Sequence, residues 1–195
     1  MILSDKDIKA LLDIKALVLK GMNDETIREN GVDLRISNEV AQHVFNNQVL
    51  DITSKADLAK EYRITKVKKC VLFLPLNSYL LSTKEYIKMP KNVMGFVEVR
   101  STFARHGLLL PPTIIDAGFE GNVTIEVFNT CNYSISVPVG TRFIHIIFAK
   151  TLTSSTGYVG KYHKQHGLTT PRLDTKDTKT KTNVDITQEI IGRYF

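Results

Sequence analysis

The N-terminal segment "SDKDIKALLDIKALVLKG" has the apolar spacing of one amphipathic helix. Its apolar residues recur at intervals of three and four, the period of a helix face, at Ile8, Leu11, Leu12 and Ala16. Ser4 stands before them as a candidate N-cap with Asp7 three residues later, and Gly21 is a candidate stop signal. The pattern therefore predicts a helix that begins after Ser4 and stops at Gly21.

From Val32 onward the pattern changes to short strand-like runs. These runs are "VDLRI", "QVLDI", "CVLFLPL", "YLLST", "VMGFVEV", "NVTIEVF", "YSISVPV" and "RFIHIIFAK". Turn residues separate them at Pro90, Gly107, Pro111, Pro112, Gly118, Gly121 and Gly140. Many short strands joined by such turns predict an antiparallel β-sandwich or barrel, because a doubly wound sheet would need helices between its strands.

The apolar pattern stops after Pro171. The segment "RLDTKDTKTKTNVD" alternates threonine with charge, which is typical of a mobile linker, and the final "ITQEIIGRYF" is apolar again. We therefore predict one domain over residues 1–173 and a polar linker with a C-terminal tail over residues 174–195. The end of the tail has two candidate docking places, the body of its own chain and a neighbouring subunit.

Composition narrows the class of protein and of partner. The 195 residues are 43% hydrophobic, enough for one domain with a real core, and the net charge of +6 favours an anionic partner. Nucleic acid, an anionic membrane surface and a phosphorylated small molecule all satisfy that charge. Two cysteines and the lack of a leader pattern predict a cytoplasmic protein. The longest apolar runs, such as "FIHIIFA", are far shorter than the roughly 20 residues of a membrane span, so we expect no membrane partner.

One carboxylate interrupts an otherwise apolar strand in "IDAGFEGNVTIEVFN". The aliphatic residues of this run share one face, namely Val123, Ile125 and Val127. Alternation places Glu126 on the opposite face with Thr124 and Phe128. That face is mixed, so Glu126 is either solvated or held in a site, and the pattern alone favours solvation.

The motif "RSTFARHG", which follows the run "VMGFVEV", carries a second candidate chemistry. Arg100 and Arg105 supply fork-shaped donors for phosphate oxygens, and Ser101 and Thr102 add hydroxyls and backbone N–H groups. A polyphosphate would fit there. The alternative is that the two arginines only solvate a turn, and the motif lacks the glycine and lysine spacing of a P-loop.

Several ordered motifs together resemble the dCTP deaminase family, which shares its fold with the trimeric dUTPases. They are "ILSDKDIKALL", "NGVDLRI" around Asp33, "RSTFARHG", "IDAGFEGNVTIEVFN", "VGTRFIHIIF", and "KYHKQHG" followed by Arg172. The resemblance covers nearly the whole chain. It implies a mainly β, distorted sandwich of the jelly-roll type (the dUTPase-like β-clip) with an N-terminal helix. It also implies a homotrimer with active sites built between subunits.

The resemblance assigns catalytic roles to four residues. Glu126 would be the general base and acid of deamination, a task that one carboxylate can perform in both directions. Ser101 would hold the base or the attacking water, and Arg105 would order the site beside Glu126. Asp116 would recognise the 3′-hydroxyl of deoxyribose, while Phe119 would press on the sugar and disfavour a 2′-hydroxyl.

The resemblance also implies how the nucleotide is held. Phosphate contacts would come from Arg100, Ser101, Thr102, Lys161 and Gln165, and Tyr158 would cover the base. Magnesium would arrive with the triphosphate, coordinated mainly by phosphate oxygens and water. No zinc is expected, because the His-x-Glu and Pro-Cys-x-x-Cys motifs of zinc deaminases are missing. The pair His163 and His166 is predicted to be a solvated part of the segment "YVGKYHKQHG", Tyr158 to Gly167.

Three functions remain open at this point. The base-reading loop "LLLPPTII" is shorter than in typical family members, which also fits a dUTPase in which Asp116 activates water for attack on the α-phosphate. A bifunctional enzyme would take dCTP to dUMP. We favour deamination because only that reaction gives Glu126 a catalytic task. A non-catalytic nucleic-acid-binding β-protein is disfavoured, since aromatic residues do not alternate with Lys and Arg along one strand face.

Overall fold

The computed structural model describes residues 1–44 and 58–173. Helix α1 (Asp5–Asp13) begins as predicted, with a capping box in which the Asp7 N–H donates to Ser4 Oγ (3.3 Å) and the Ser4 N–H donates to Asp7 Oδ2 (2.9 Å). Ile8 points into the core and is fully buried. The capping box therefore aims the first turn so that the apolar face meets the sheet.

The predicted end of this helix at Gly21 is wrong. Lys15 takes a left-handed φ of 58°, and the Ala16 N–H donates back to the Leu11 carbonyl at 3.0 Å, which closes α1 in a Schellman motif. Leu17 and Leu19 are both buried, an alternation of period two that a helix cannot bury on one face. Residues Val18–Lys20 therefore form strand β1, paired with a core strand.

Strands make up most of the rest of the described chain. After β1 they are β2 (Ile27–Arg28), β3 (Gly31–His43), β4 (Tyr62–Lys66), β5 (Cys70–Phe73), β6 (Ser78–Lys88), β7 (Val93–Val99), β8 (Leu108–Leu109), β9 (Thr113–Ile115), β10 (Glu120–Asn129), β11 (Ile135–Pro138) and β12 (Arg142–Lys150). A 3-10 turn covers Leu58–Glu61, and a short helix α2 covers Ser101–Arg105. The runs "VMGFVEV" and "RFIHIIFAK" coincide with β7 and β12. The run "QVLDI" and the predicted tail lie outside the described residues.

The strands pair in antiparallel fashion around one core. The main sheet of the described chain has the order β8-β10-β6-β3-β12-β7-β9, with β1 added to β6 and β2 and β4 added to β3, while β5 and β11 form a separate pair. Strand β3 pairs with β12 through Val32 to Arg35 and with β6 from Ile36 to Gln42. Because one strand changes partners along its length, the sheet curls over and encloses a core. The predicted β-sandwich class is confirmed.

Strand β10 shows the alternation that the sequence predicts. Val123, Ile125 and Val127 are buried in the core, whereas Thr124 is half-buried and Glu126 is exposed on the other face. The side chain that breaks the apolar pattern therefore lies on the surface that the sheet leaves uncovered. None of the helices in the described part of the chain has the length and apolarity that a membrane span requires.

Candidate active site

A cleft of about 220 Å³ lies on the non-core face of β10. Three parts of the chain form its walls: β10, the segment from β9 to Phe119, and the stretch that follows β12. We call residues 151–173, which follow β12, the C-terminal arm. The cleft is lined by Leu80, Thr113, Ile114, Ile115, Asp116, Phe119, Val123, Thr124, Glu126, Tyr158, Tyr162, Gln165, Thr169 and Pro171. Its volume is below the roughly 300–1,000 Å³ of typical small-molecule pockets, so the cleft of one chain is small for a complete ligand site.

The fold brings five of the predicted site residues together in this cleft, although they span 50 positions of the sequence. These residues are Asp116, Phe119, Glu126, Tyr158 and Gln165. Lys161 lies on the arm outside the cleft wall, with its ammonium 5.3 Å from the ring centre of Tyr162. Arg100, Ser101, Thr102 and Arg105 do not line the cleft of their own chain.

Glu126 is one of two acidic residues that line the cleft, the other being Asp116. Solvent reaches its side chain from the open side, yet the surrounding protein atoms desolvate the carboxylate and raise its pKa above the ordinary glutamate value. No charged neighbour in the described residues contributes to this shift. A carboxyl whose pKa is moved toward neutrality by burial is suited to both accepting and returning a proton.

Glu126 also borders a second cavity of about 240 Å³. His43, Tyr62, Pro111 and Phe128 line this cavity, which Asp116 does not border. Burial, and then the negative charge of Glu126, raise the pKa of the Tyr62 hydroxyl. Glu126 thus borders two cavities, an arrangement that strand alternation alone did not indicate.

The turn after β9 places the predicted sugar-binding residues. The Phe119 N–H donates to the Asp116 carbonyl at 3.1 Å, which closes the turn, and Gly118 has a left-handed φ of 83°. A Cβ at Gly118 would also lie 2.7 Å from the Cα of Gly157 on the arm, so glycine is required both for conformation and for close approach. Phe119 is 8% exposed and acts as a hydrophobic plug whose edge reaches the cleft.

The segment predicted to bind phosphate is anchored outside the cleft by contacts within its own chain. Arg100 directs Nε to Asp33 Oδ2 (3.2 Å) and donates a second hydrogen bond to the Arg142 carbonyl (3.0 Å). Its guanidinium is therefore already held within its own chain. Ser101, Thr102 and Arg105 on α2 are exposed, with their donors outside the cleft. One chain consequently holds the acidic half of the predicted site and displays the basic half elsewhere.

Asp33 is the buried anchor of this segment. Its side chain is 4% exposed and also meets His145 Nδ1 (2.9 Å) and Arg142 (3.4 Å). The motif "NGVDLRI" includes this aspartate, but only the fold reveals that its partners lie on β12 and directly after β7. A buried carboxylate with two guanidinium groups joins β3, β7 and β12 at the base of α2.

We expect Asp33→Asn to lower the free energy of unfolding by about 2 kcal/mol, because it leaves two partly buried arginines without their anion. Urea denaturation followed by circular dichroism measures the loss. Glu29→Gln is the matched control, since that side chain is 81% exposed in a surface ion pair and its change should cost less than about 0.5 kcal/mol. Equal stability of the two variants would contradict the anchoring role.

The sequence model of a family described as "dCTP deaminase-like" matches residues 2–151. The chain belongs to the dCTP deaminase-like family. The "dCTP deaminase" of Acidianus ambivalens is 44% identical over 174 residues, which are 89% of this chain and 98% of that protein. A "probable deoxyuridine 5'-triphosphate nucleotidohydrolase" of Sulfolobus islandicus rod-shaped virus 1 is 45% identical over 175 residues, covering 89% of this chain and 100% of that protein. The family prediction is confirmed.

A solved structure of another protein has the same fold. The crystal structure of 2'-deoxycytidine 5'-triphosphate deaminase from Agrobacterium tumefaciens matches with a TM-score of 0.61 at 18% identity. The match covers 75% of this chain, which spans about half, 47%, of that chain. At this identity the likeness supports the fold alone.

The cleft also contains polar groups to which the sequence motifs assign no role. Thr113, Thr124 and Tyr162 line it, and Asn122 lies beside it on β10. Tyr162 stands in the quoted motif "KYHKQHG", so the signal was present but no chemistry was assigned to it. Within the described residues, no group of three or more His, Cys, Asp or Glu side chains is placed to hold a metal ion. His166 is exposed as predicted, whereas His163 is half-buried near Tyr158.

Proposed function

We propose that this protein is a dCTP deaminase that converts dCTP and water to dUTP and ammonia. The observation that carries the proposal is the place of Glu126, a desolvated carboxylate with a raised pKa in the same cleft as Asp116. Glu126 takes a proton from water as the oxygen forms a bond to C4 of cytosine. It then returns the proton to the 4-amino group, and the C4–N bond breaks to release ammonia. The proton left on the new C4 hydroxyl moves to N3, which gives the carbonyl of uracil.

The cleft fits the nucleoside part of the substrate. Asp116 accepts the 3′-hydroxyl of deoxyribose at one end, and the edge of Phe119 excludes a 2′-hydroxyl beside it. Tyr158 from the arm covers the base, and its partly buried ring lies 5.9 Å from that of Phe119. Glu126 lines the same cleft, so the groups proposed to contact the sugar and the base lie around one cavity.

The phosphates require donors that the cleft of one chain does not contain. We infer that the protein is a homotrimer in which Arg100, Ser101, Thr102 and Arg105 of a neighbouring subunit complete each site. Apolar side chains at the rim support a subunit contact there, because Ile114 is 51% exposed, Phe128 37% and Leu109 47%. Lys161 adds a cation from the arm. The substrate is the magnesium complex of the triphosphate, with the ion held by phosphate oxygens and water.

A dUTPase is the second candidate. The viral relative with a deoxyuridine triphosphatase name is as similar to this chain as the first deaminase relative, so identity does not choose between the reactions. In that reaction Asp116 would activate a water for attack on the α-phosphate, and diphosphate would leave. A bifunctional enzyme would use Glu126 and Asp116 in turn.

Products distinguish the candidate functions. The purified protein is incubated with magnesium and either dCTP or dUTP, and dUTP, dUMP, ammonia and diphosphate are separated. We expect equal amounts of dUTP and ammonia from dCTP. Release of dUMP and diphosphate from dCTP would indicate the bifunctional enzyme, and turnover of dUTP alone would indicate a dUTPase. Tight, strongly salt-dependent binding to single-stranded DNA without turnover would favour a nucleic-acid-binding protein.

A further inference from the structure

Asn122 lies at an irregularity in the sheet where β10 meets the arm. Asn122 pairs with Tyr86 and Thr124 pairs with Ser82, so three residues of β6 stand opposite the single residue Val123. Such a bulge removes backbone groups from the regular ladder and leaves them in need of partners. The side-chain amide of Asn122 supplies them by donating Nδ2–H to the carbonyls of Thr83 (3.1 Å) and Glu85 (3.0 Å).

These two bonds fix which way the Asn122 amide faces. Because Nδ2 must point to the two carbonyls, Oδ1 points to the arm, where it accepts the Gly167 N–H at 3.0 Å. The backbone of Asn122 makes two more bonds to the arm: its N–H donates to the Gln165 carbonyl (3.1 Å), and its carbonyl accepts Gln165 Nε2–H (2.6 Å). One residue thus joins the bulge to two positions of the arm.

The neighbouring contacts continue the same pattern. The Leu168 N–H donates to Glu39 Oε2 (2.8 Å) and the Thr169 N–H donates to Thr124 Oγ1 (3.3 Å), so three successive arm amides end on side-chain oxygens of the sheet. A Cβ at Gly121 would lie 2.8 Å from the Gln165 carbonyl oxygen, which shows how closely the arm approaches the sheet. The arm is held by directional polar contacts to its own chain.

The contact with Asn122 also fixes the orientation of the Gln165 side-chain amide. The reverse orientation of Gln165 would set two carbonyl oxygens 2.6 Å apart, so Nε2 is committed to Asn122. The other atom, Oε1, is buried and has no partner among the described residues. Gln165 Nε2 is therefore held by its own chain, and a contact from Nε2 to phosphate would require the amide to turn.

We propose that Asn122 is a positioning residue that latches the C-terminal arm over the cleft of its own subunit and sets the orientation of Gln165. Asn122 does not line the cleft, and it acts through the arm. When the latch is closed, substrate meets a site with Gln165 and Tyr158 already in place. When the latch is open, the arm must close before substrate is held. The apparent affinity for substrate is then the intrinsic affinity multiplied by the fraction of molecules in the closed state.

The test measures arm order directly, by hydrogen–deuterium exchange of the full-length protein with peptides covering residues 158–169. Asn122→Ala should raise amide exchange in these peptides by about tenfold or more, because it removes the Oδ1 acceptor and the bonds that hold the bulge. The matched control is Thr83→Val. Thr83 Oγ1 stabilises the same bulge, because it accepts the Val123 N–H (2.9 Å) and donates to the Glu85 carbonyl (2.8 Å). It makes no hydrogen bond to the arm.

Gln165→Met tests the same latch by changing the arm and leaving the sheet intact. Because the arm lies outside the core, this substitution should not prevent the protein from folding. It should loosen the same peptides while the thermal unfolding midpoint of the protein stays unchanged. Unchanged arm exchange in Gln165→Met and in folded Asn122→Ala, or equal loosening by Thr83→Val, would overturn the proposal.

Steady-state kinetics with dCTP give a second test of the latch, and this test rests on the proposed deaminase function. Asn122→Ala should raise KM for dCTP about tenfold with kcat within about threefold of wild type, because saturating substrate still closes the arm. Thr83→Val should leave KM unchanged. An equal loss of kcat in both variants would indicate a merely structural role. If the protein does not deaminate dCTP, the exchange experiment still decides the latch.

Discussion

Replacing Glu126 with glutamine is expected to lower ammonia release from dCTP by about 100-fold or more. The amide keeps the size of the side chain and much of its hydrogen bonding, but it cannot accept the proton from water. Binding of dCTP should survive, because Asp116 and the arm remain intact. Steady-state ammonia release and equilibrium dCTP binding measure the two effects separately.

Glu120→Gln is the matched control for this change. Glu120 is the same residue type on the same strand and the same face, but it is hydrogen-bonded to the Tyr86 hydroxyl at 2.9 Å and does not line the cleft. Its turnover should stay within about threefold of wild type, as for an ordinary surface change. A Glu126→Gln protein that deaminates at the wild-type rate would remove Glu126 from the mechanism.

The pH dependence follows from the same residue. Glu126 must be a carboxylate to take the first proton, and burial raises its pKa, so kcat/KM should fall as the pH is lowered through that raised pKa. The decline should begin at a higher pH than for a solvated glutamate. The residual activity of Glu126→Gln should lack this acidic limb, which a pH profile of both proteins will show.

Two inactive variants are expected to recover activity when they share one oligomer. Glu126→Gln damages the cleft, whereas Arg105→Ala damages the donor segment that one chain displays outside its cleft. If each site takes its cleft from one subunit and Arg105 from the next, random mixing leaves about a quarter of the sites with both native residues. Co-refolded mixtures should therefore regain about a quarter of the wild-type rate.

The control mixture combines Glu126→Gln with Asp116→Asn. Both residues line the same cleft, so no arrangement of subunits restores a native pair and no activity should return. Recovery in the first mixture and not in the second requires a site shared between subunits. Failure of both mixtures, with the mixed oligomers verified by mass, would place Arg105 and Glu126 in one subunit.

The sequence by itself determined the fold class, the family and the face on which Glu126 lies. Each of these rests on local rules: strands place alternate side chains on opposite faces, and ordered motifs identify a family without coordinates. The start of α1 was predictable for the same reason, because Ser4 and Asp7 cap the helix from within four residues. Local sequence is sufficient where the interacting groups are neighbours along the chain.

Only the tertiary structure decided the partners of residues far apart in sequence. Helix α1 ends before Gly21 because Leu17 and Leu19 are buried against a strand that begins about 60 residues later. Arg100 is held by Asp33, and Asn122 faces the arm, because strand register sets these distances and no local pattern encodes register. The separation of Arg105 from its own cleft likewise follows from the path of β7 and α2, which only long-range packing specifies.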